Sequence, residues 1–456
     1  MSDDESYRDG RESRQDGHDS RAASPGGSGV GRRGFLTATG AALAASLAGC
    51  GGRFGGGDPA PDYDVDALAA TLDPLPDVPV AVPVQPSREH VSAARERVRA
   101  LLDGDVSRVP NAVVRDRLAA EREDARDALA DSPSSRLDAV SGLAHPRGEA
   151  MFVRAGLAAF DGDLTRSDVA ARRERVTGAL DAFEANRRYV GGDDPVAALV
   201  EHVEIGSWRA DAHSVLASTV PDAHDPENDV LGVAEHAKDV EWGRATLADA
   251  RRLAARYRGT LSDPVDYGGR FAAAAAALAD ALPDDATARP DFDAAGTTIE
   301  RGIADTAAAT LLRELRRSRW QNATDVAEER SAGRSPLAVA SAMRALVEGA
   351  ALADATAAIR DGAYARPDAI DVIAAEREAA VDALRTLRED GPAPLASRVA
   401  SSVRARMRWA DRDVRDGVDD RSLADDVYAD YAYAHRVAAA APPVLDRVAD
   451  AVRGTA

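Results

Sequence analysis

Ala120-Glu121-Arg122-Glu123-Asp124-Ala125-Arg126-Asp127-Ala128-Leu129 is the stretch that decides the fold class. Ala, Leu, Arg and Glu are strong helix formers, and no Pro, Gly or β-branched residue opposes them here. The phrase returns as Ala375-Glu376-Arg377-Glu378-Ala379-Ala380-Val381-Asp382-Ala383-Leu384, identical at eight of ten positions. At the same offset of 255 residues, Asp161-Gly162 and Arg166-Ser167 recur as Asp416-Gly417 and Arg421-Ser422. One offset held across two helices and a loop suggests duplication of a helical unit. The alternative is that Ala/Glu/Arg-rich helices resemble one another through composition alone.

The same alphabet continues in both directions. Past residue 86 no long alternation of Val, Ile, Thr and aromatics announces a strand. Breaks at Gly, Pro and Asp clusters divide the chain into helices expected near 87–103, 111–131, 134–160, 167–189, 194–219, 227–258, 264–282, 292–320, 335–361, 368–389, 394–415, 421–439 and 442–453. Asp194-Pro195 and Ser335-Pro336 are start signals with Pro in the first turn, and Pro146 is expected to kink its helix. The fold class is therefore all-α, an array or bundle of about a dozen antiparallel helices. Two helical regions are expected, 87–282 and 283–456, divided at the Pro/Asp-rich stretch from Leu282 and related by the repeat.

The chain before residue 87 reads differently. Arg32-Arg33-Gly34-Phe35-Leu36 precedes an uncharged run to Ala48, too short to span a bilayer, which needs about twenty apolar residues. The run ends at Leu47-Ala48-Gly49-Cys50, and Cys50 is the only cysteine in 456 residues. These signals resemble those of twin-arginine-exported lipoproteins of halophilic archaea. In that resemblance, residues 1–49 are a signal peptide with a lipobox. Arg32, Arg33, Phe35 and Leu36 carry the export signal, and Cys50 is the lipidated residue. Gly31 and Thr37 depart from the consensus, which favours Ser or Thr and Lys there. The resemblance implies a protein lipid-anchored at the outer face of the cytoplasmic membrane. Residues 50–86, rich in Gly and Pro, are expected to form a tether reaching up to roughly 100 Å.

Composition narrows the partners. Asp and Glu number 77 against 57 Lys and Arg, a formal charge of −20, and Lys238 is the lone lysine. That pattern resembles halophilic proteins, with a solvated carboxylate surface that self-repels at low salt. It argues against a nucleic-acid partner, which requires a basic face. The single cysteine rules out an internal disulfide. No GxSxG elbow occurs in the folded part, no HExxH occurs, and Lys238 lies outside any Walker-type loop. The reading leans away from an enzyme.

One constellation carries chemistry. Glu201-His202 is followed after five residues by Trp208, and Glu235-His236 after five by Trp242. A hairpin folded about residue 222 would set His202 level with Trp242 and Trp208 level with His236. His202, His213 and His236, with Glu201 and Glu235, are then candidate ligands for a metal ion or haem, since imidazole and carboxylate on facing helices hold such groups in bundles. Against this, adjacent Glu and His diverge by about 100° on a helix, and Trp beside His also suits plain core packing. Asn322-Ala323-Thr324 is a glycosylation sequon. The leading reading is a surface-anchored lipoprotein with an extracytoplasmic helical binding or scaffold module and no predicted cofactor. Its partner is an envelope protein or a small solute. The alternative is a metal- or haem-binding helical protein.

Overall fold

Ser87 accepts the backbone N–H of His90, Asn111 accepts those of Val113 and Val114, and Thr165 with Asp168 forms a reciprocal capping box. Each cap satisfies amide donors that an opening helix leaves without partners, so these side chains set where helices begin. The computed structural model describes residues 65–78, 81–82, 84–218, 229–291, 299, 302–367, 369–417 and 421–454. Arg32, Arg33, Phe35, Leu36 and Cys50 lie outside the described residues.

Among the described residues the chain forms fourteen α-helices. The first eight are α1 (Val65–Ala70), α2 (Arg88–Leu101), α3 (Ala112–Ala130), α4 (Arg136–Ser141), α5 (Ala144–Phe160), α6 (Arg166–Ala185), α7 (Pro195–Ala217) and α8 (Asp229–Gly259). Then follow α9 (Gly268–Ala279), α10 (Ala307–Ser331), α11 (Ser335–Arg360), α12 (Ile370–Asp390), α13 (Ala393–Asp416) and α14 (Arg421–Arg453). The sole sheet described is a two-residue antiparallel bridge between β1 (Val190–Gly191) and β2 (Val265–Asp266). The protein is all-α.

Four boundaries differ from expectation, each for a local reason. The helix expected over 134–160 breaks at Gly142-Leu143 into α4 and α5, which leaves Pro146 in the first turn of α5. A first-turn proline gives up an amide that has no partner anyway, so it starts the helix instead of kinking it. Of the helix expected over 292–320, residues 292–298, 300 and 301 lie outside the described residues; α10 starts after Thr306, beyond the positive-φ Asp305, and runs on to Ser331. Leu311, Leu315, Asn322 and Val326 carry its buried stripe forward past the expected end. The two helices expected around Pro442-Pro443 are one, because Ala438, Ala441, Leu445 and Val448 stay fully buried on one face across the prolines. Finally, the expected tether is partly folded. Leu68 of α1 and Val82 are buried in the main core, Arg377 donates to the Asp73 carbonyl, and Arg256 donates to that of Gln85.

Two cores result. In the first, α2, α3, α5 and the opening turns of α8 meet around Val98, Leu118 and Phe152. In the second, α10 to α14 pack with α9, and α7 adds Val196, Leu199 and Val203 to it. Alanine dominates this second core, and its small side chain lets helix axes approach closely. Among the described residues α11 is the one helix long and apolar enough to cross a membrane, and 67% of its apolar window is buried against its neighbours.

One buried charge of the second core is fully matched. The Arg377 guanidinium donates twice to Asp411, at 2.8 and 2.9 Å, and Tyr431 donates its hydroxyl to the same carboxylate at 2.8 Å. Removing one partner strands the other, which costs about 3–5 kcal/mol for a buried pair. Exposed pairs are worth only about 0–1 kcal/mol. Arg377→Met should therefore lower unfolding free energy in denaturant by several times more than Arg385→Met, whose partner Asp382 is exposed with it. Limited proteolysis should find residues 65–78 of Arg377→Met cleaved faster, since the Asp73 carbonyl loses its anchor.

Candidate functional site

The two Glu-His-x5-Trp phrases lie on α7 and α8, which pack together, but not in the expected register. The His202 ring meets the Tyr257 ring edge-on at 5.7 Å, not Trp242. Trp208 packs with Ala250 and Leu253, and Ala212 and Leu216 with Leu247. Leu216 also rests on Gly243, where an added Cβ would lie 2.7 Å from its Cγ. The matched His–Trp pairs are therefore not formed. The opening turns of α8 run past the end of α7 and bury Val233, Ala237 and Val240 against Ala155, Leu164 and Val169. Trp242 packs instead on His145 of α5, with ring centroids 4.7 Å apart.

This slip separates the candidate ligands. His236 lies twenty-one residues before Tyr257, the level of His202, or about 30 Å along the helix axis. His213 is exposed, Glu235 and His236 are half-buried, and Glu201 and His202 are buried. Among the described residues no three His, Cys, Asp or Glu side chains converge in a metal-binding group. His202 is committed elsewhere: its Nε2–H donates to the Val190 carbonyl at 2.8 Å, and Tyr189, Tyr257 and Phe271 surround its ring edge-on.

Burial sets the protonation of this pair. Desolvation pulls the His202 imidazole down to about 4, with the charges of Arg187 and Arg258 adding to the effect against the Val190 hydrogen bond. Desolvation also pushes the Glu201 carboxyl up to about 8, against the N–H of Val84 that donates to its Oε2 at 3.1 Å. Oε1 has no hydrogen-bond partner. A neutral acid thus pins the segment before α2 to α7.

Beside His202 the register opens a cleft of about 260 Å³ between the end of α6, α7 and the last turns of α8. Phe183, Ile205 and Ala254 give it an apolar wall, with the His202 and Tyr257 rings beside them. Its charged lining is Arg187, Arg188, Arg251 and Arg258, and no carboxylate lines it. Arg251 lies over the Phe183 ring at 5.8 Å and donates to the Ala179 carbonyl. Arg187 lies over the Tyr189 ring at 5.2 Å, and its Nη2 donates to the His202 carbonyl at 3.3 Å. Its Nη1 makes no hydrogen bond: the nearest carboxylate, Glu184, is 3.8 Å away and pairs with Arg209 at 3.0 Å. Gly191 of the β-bridge holds the Arg187 loop down, because a Cβ there would meet Ala198 at 2.4 Å and the Tyr257 hydroxyl at 3.0 Å. This arginine cluster was not anticipated from the sequence. Almost every basic residue is Arg, so composition singles out none of them, and only the α7–α8 register gathers these four.

Other candidates prove structural. Asn322 is buried, and its amide nitrogen donates to the Ser318 carbonyl and to Glu348, both at 2.9 Å. A glycan needs that nitrogen, so the expected glycosylation has no acceptor in the folded chain. On α14, Tyr433 donates to Glu348 and His435 pairs with Glu376 at 2.8 Å, so both side chains serve the packing of that helix.

Two family models match the chain. Residues 89–263 match a domain of unknown function, DUF8262, and residues 268–450 match another, DUF8264. No curated protein and no solved structure matches it. The two segments meet in the connection between α8 and α9, so the cleft belongs wholly to the DUF8262-like segment.

The pH dependence follows from the adjacent pair. Folding holds Glu201 protonated, so between its unfolded value near 4.5 and its folded value near 8 stability falls as pH rises. Folding holds His202 neutral, so stability falls as pH drops from 6.5 towards 4. The two slopes oppose one another below pH 6.5, and above it only Glu201 acts. Glu201→Gln should therefore flatten the loss of stability between pH 6.5 and 8, read from denaturant midpoints in molar salt, with little effect at pH 5. Mass spectrometry of the exported protein should find Asn322 unmodified, and Asn322→Ala should destabilise it by about 1–3 kcal/mol through the uncovered Glu348.

Proposed function

We propose that this chain is a twin-arginine-exported lipoprotein, held by Cys50 at the outer face of the cytoplasmic membrane. Its helical body is a non-catalytic module that binds a small solute. Support for the anchor comes from the ordered signals Arg32-Arg33, Phe35-Leu36 and Leu47-Ala48-Gly49-Cys50, with the lone cysteine at the position a lipobox requires. The described residues begin at Val65, and the fourteen residues from Gly51 to Asp64 can span at most about 50 Å.

The observation that carries the binding reading is the cleft beside His202. Its lining is arginine, aromatic and alkyl, with Asn186 as the one uncharged amide and no Ser, Thr, Cys, Lys, Asp or Glu. Such a surface offers recognition and offers no nucleophile or carboxylate base. His202 has its Nε2–H engaged and its basicity lowered by burial, which suits a wall and not a proton carrier. The metal or haem reading finds no support in the positions of His202, His213 and His236.

Expression in a halophilic host tests the address. Wild type should enter the detergent phase and be cut by protease added to intact cells. Cys50→Ser should be released to the medium. Arg32→Lys with Arg33→Lys should accumulate inside with its leader intact. Equal membrane partitioning of Cys50→Ser and wild type would remove the lipid anchor from the account.

A further inference from the structure

We propose that the cleft between α6, α7 and α8 is a binding site for a small organic carboxylate with an apolar body. This assignment rests on the binding-module reading and names the chemistry it recognises. The first argument is charge. In a chain of net charge −20, four guanidinium groups gather around one cleft with no carboxylate among its lining residues. The buried Arg377, by contrast, is met by Asp411, and Arg97 by the buried Glu241. Guanidinium groups gathered around a cleft that no acid lines, with Glu184 behind Arg187 drawn at 3.0 Å to Arg209, make a place for an outside anion.

The second argument is the state of Arg187. Its side chain is 8% exposed, and Nη1 has neither a hydrogen-bond partner nor an acid within hydrogen-bond distance. A guanidinium N–H buried without an acceptor is costly, and a carboxylate oxygen is the acceptor its planar fork fits. The Tyr189 ring and the His202 carbonyl hold that guanidinium in place, so binding need not order it.

The third argument is the rest of the lining. Phe183, Ile205, Ala254 and the Tyr257 ring present carbon, and 260 Å³ falls just below the size of pockets that take drug-sized ligands. A doubly charged phosphate would lose much hydration against such walls and gain nothing from them. Chloride would leave the apolar part unfilled. A monoanionic carboxylate carried on an aryl or short alkyl body satisfies both. Molar salt shortens electrostatic reach to about 3 Å, so recognition there depends on contact geometry, which a forked guanidinium supplies and a distant field does not.

The experiment uses the full lipoprotein in detergent and molar potassium chloride, titrated calorimetrically with benzoate, phenylacetate and hexanoate. Benzamide and inorganic phosphate serve as comparison probes. At least one carboxylate should bind, and benzamide and phosphate should bind about ten-fold more weakly or not at all. Arg187→Gln and Ala254→Trp should each lose that binding, the second by filling the apolar wall with Arg187 intact. Arg99→Gln, on the exposed face of α2, should keep it. Should Arg187→Gln fail to fold, the exposed Arg258→Gln and Ala254→Trp carry the test. Benzamide binding as well as benzoate and blocked by Ala254→Trp would overturn the carboxylate assignment and leave the binding module standing. Stronger binding of phosphate would overturn it too. No binding of any probe by wild type would overturn both the assignment and this cleft as the module's site.

Discussion

Leu216 seats over Gly243, and the axial position of α8 follows from that contact. Any side chain at residue 243 would hold the two helices apart, because its Cβ would fall 2.7 Å from the Leu216 Cγ. With Leu216 seated, His202 faces Tyr257, Trp208 faces Ala250 and Leu253, and the first turns of α8 extend beyond α7 onto α5 and α6. One long helix thus serves two layers. Its opening turns close the core of α2, α3 and α5, and its last turns wall the arginine-lined cleft.

Around that helix the cores are small-residue packing threaded by matched charges. Asp249 of α8 receives His90 from α2 at 2.7 Å and Arg147 from α5. Burial by itself would raise its carboxyl, but these two partners hold it below the usual range. Lys238 reaches Glu121 of α3 at 2.9 Å. An alanine-rich interior has little apolar area per residue with which to discriminate one packing from another. Hydrogen-bonded charges, which must meet their partners or remain stranded, supply part of that discrimination here.

The repeat offers a second view of the same economy. Starts of α6 and α14 differ by the 255-residue offset, and Gly162 and Gly417 both adopt positive φ, at +80° and +98°, after corresponding helices. In each copy the glutamate is held by basic or hydroxyl groups from outside its own helix: Glu121 by Lys238 of α8, Glu376 by His435 of α14 and by Tyr364 of the α11–α12 connection. In each copy the arginine donates to a carbonyl just beyond an earlier helix, Arg122 to Leu102 and Arg377 to Asp73. The neighbours have diverged: α3 packs along α5, while α12 packs chiefly along α14. Two different family models match the two segments, and their helix boundaries and polar anchors correspond more closely than their packing.

Residue chemistry alone determined the all-α class, the start of α7 at Asp194-Pro195 and most helix limits, because these depend on neighbours within one or two turns. It also made Glu201 and His202 stand out, and both are buried side chains shaped by desolvation. Tertiary structure decided the rest. Helical periodicity says which face of α7 meets which face of α8, but it is nearly unchanged by sliding one helix along the other by whole turns. The hairpin centred on residue 222 was therefore as consistent with periodicity as the true register. Only the contacts of Leu216, Gly243 and α5 distinguish them. The same limit hid the burial of Asn322, the docking of Leu68 and Val82, and the gathering of Arg187, Arg188, Arg251 and Arg258. Each depends on which distant surfaces meet, a property of the packed chain and not of any local stretch.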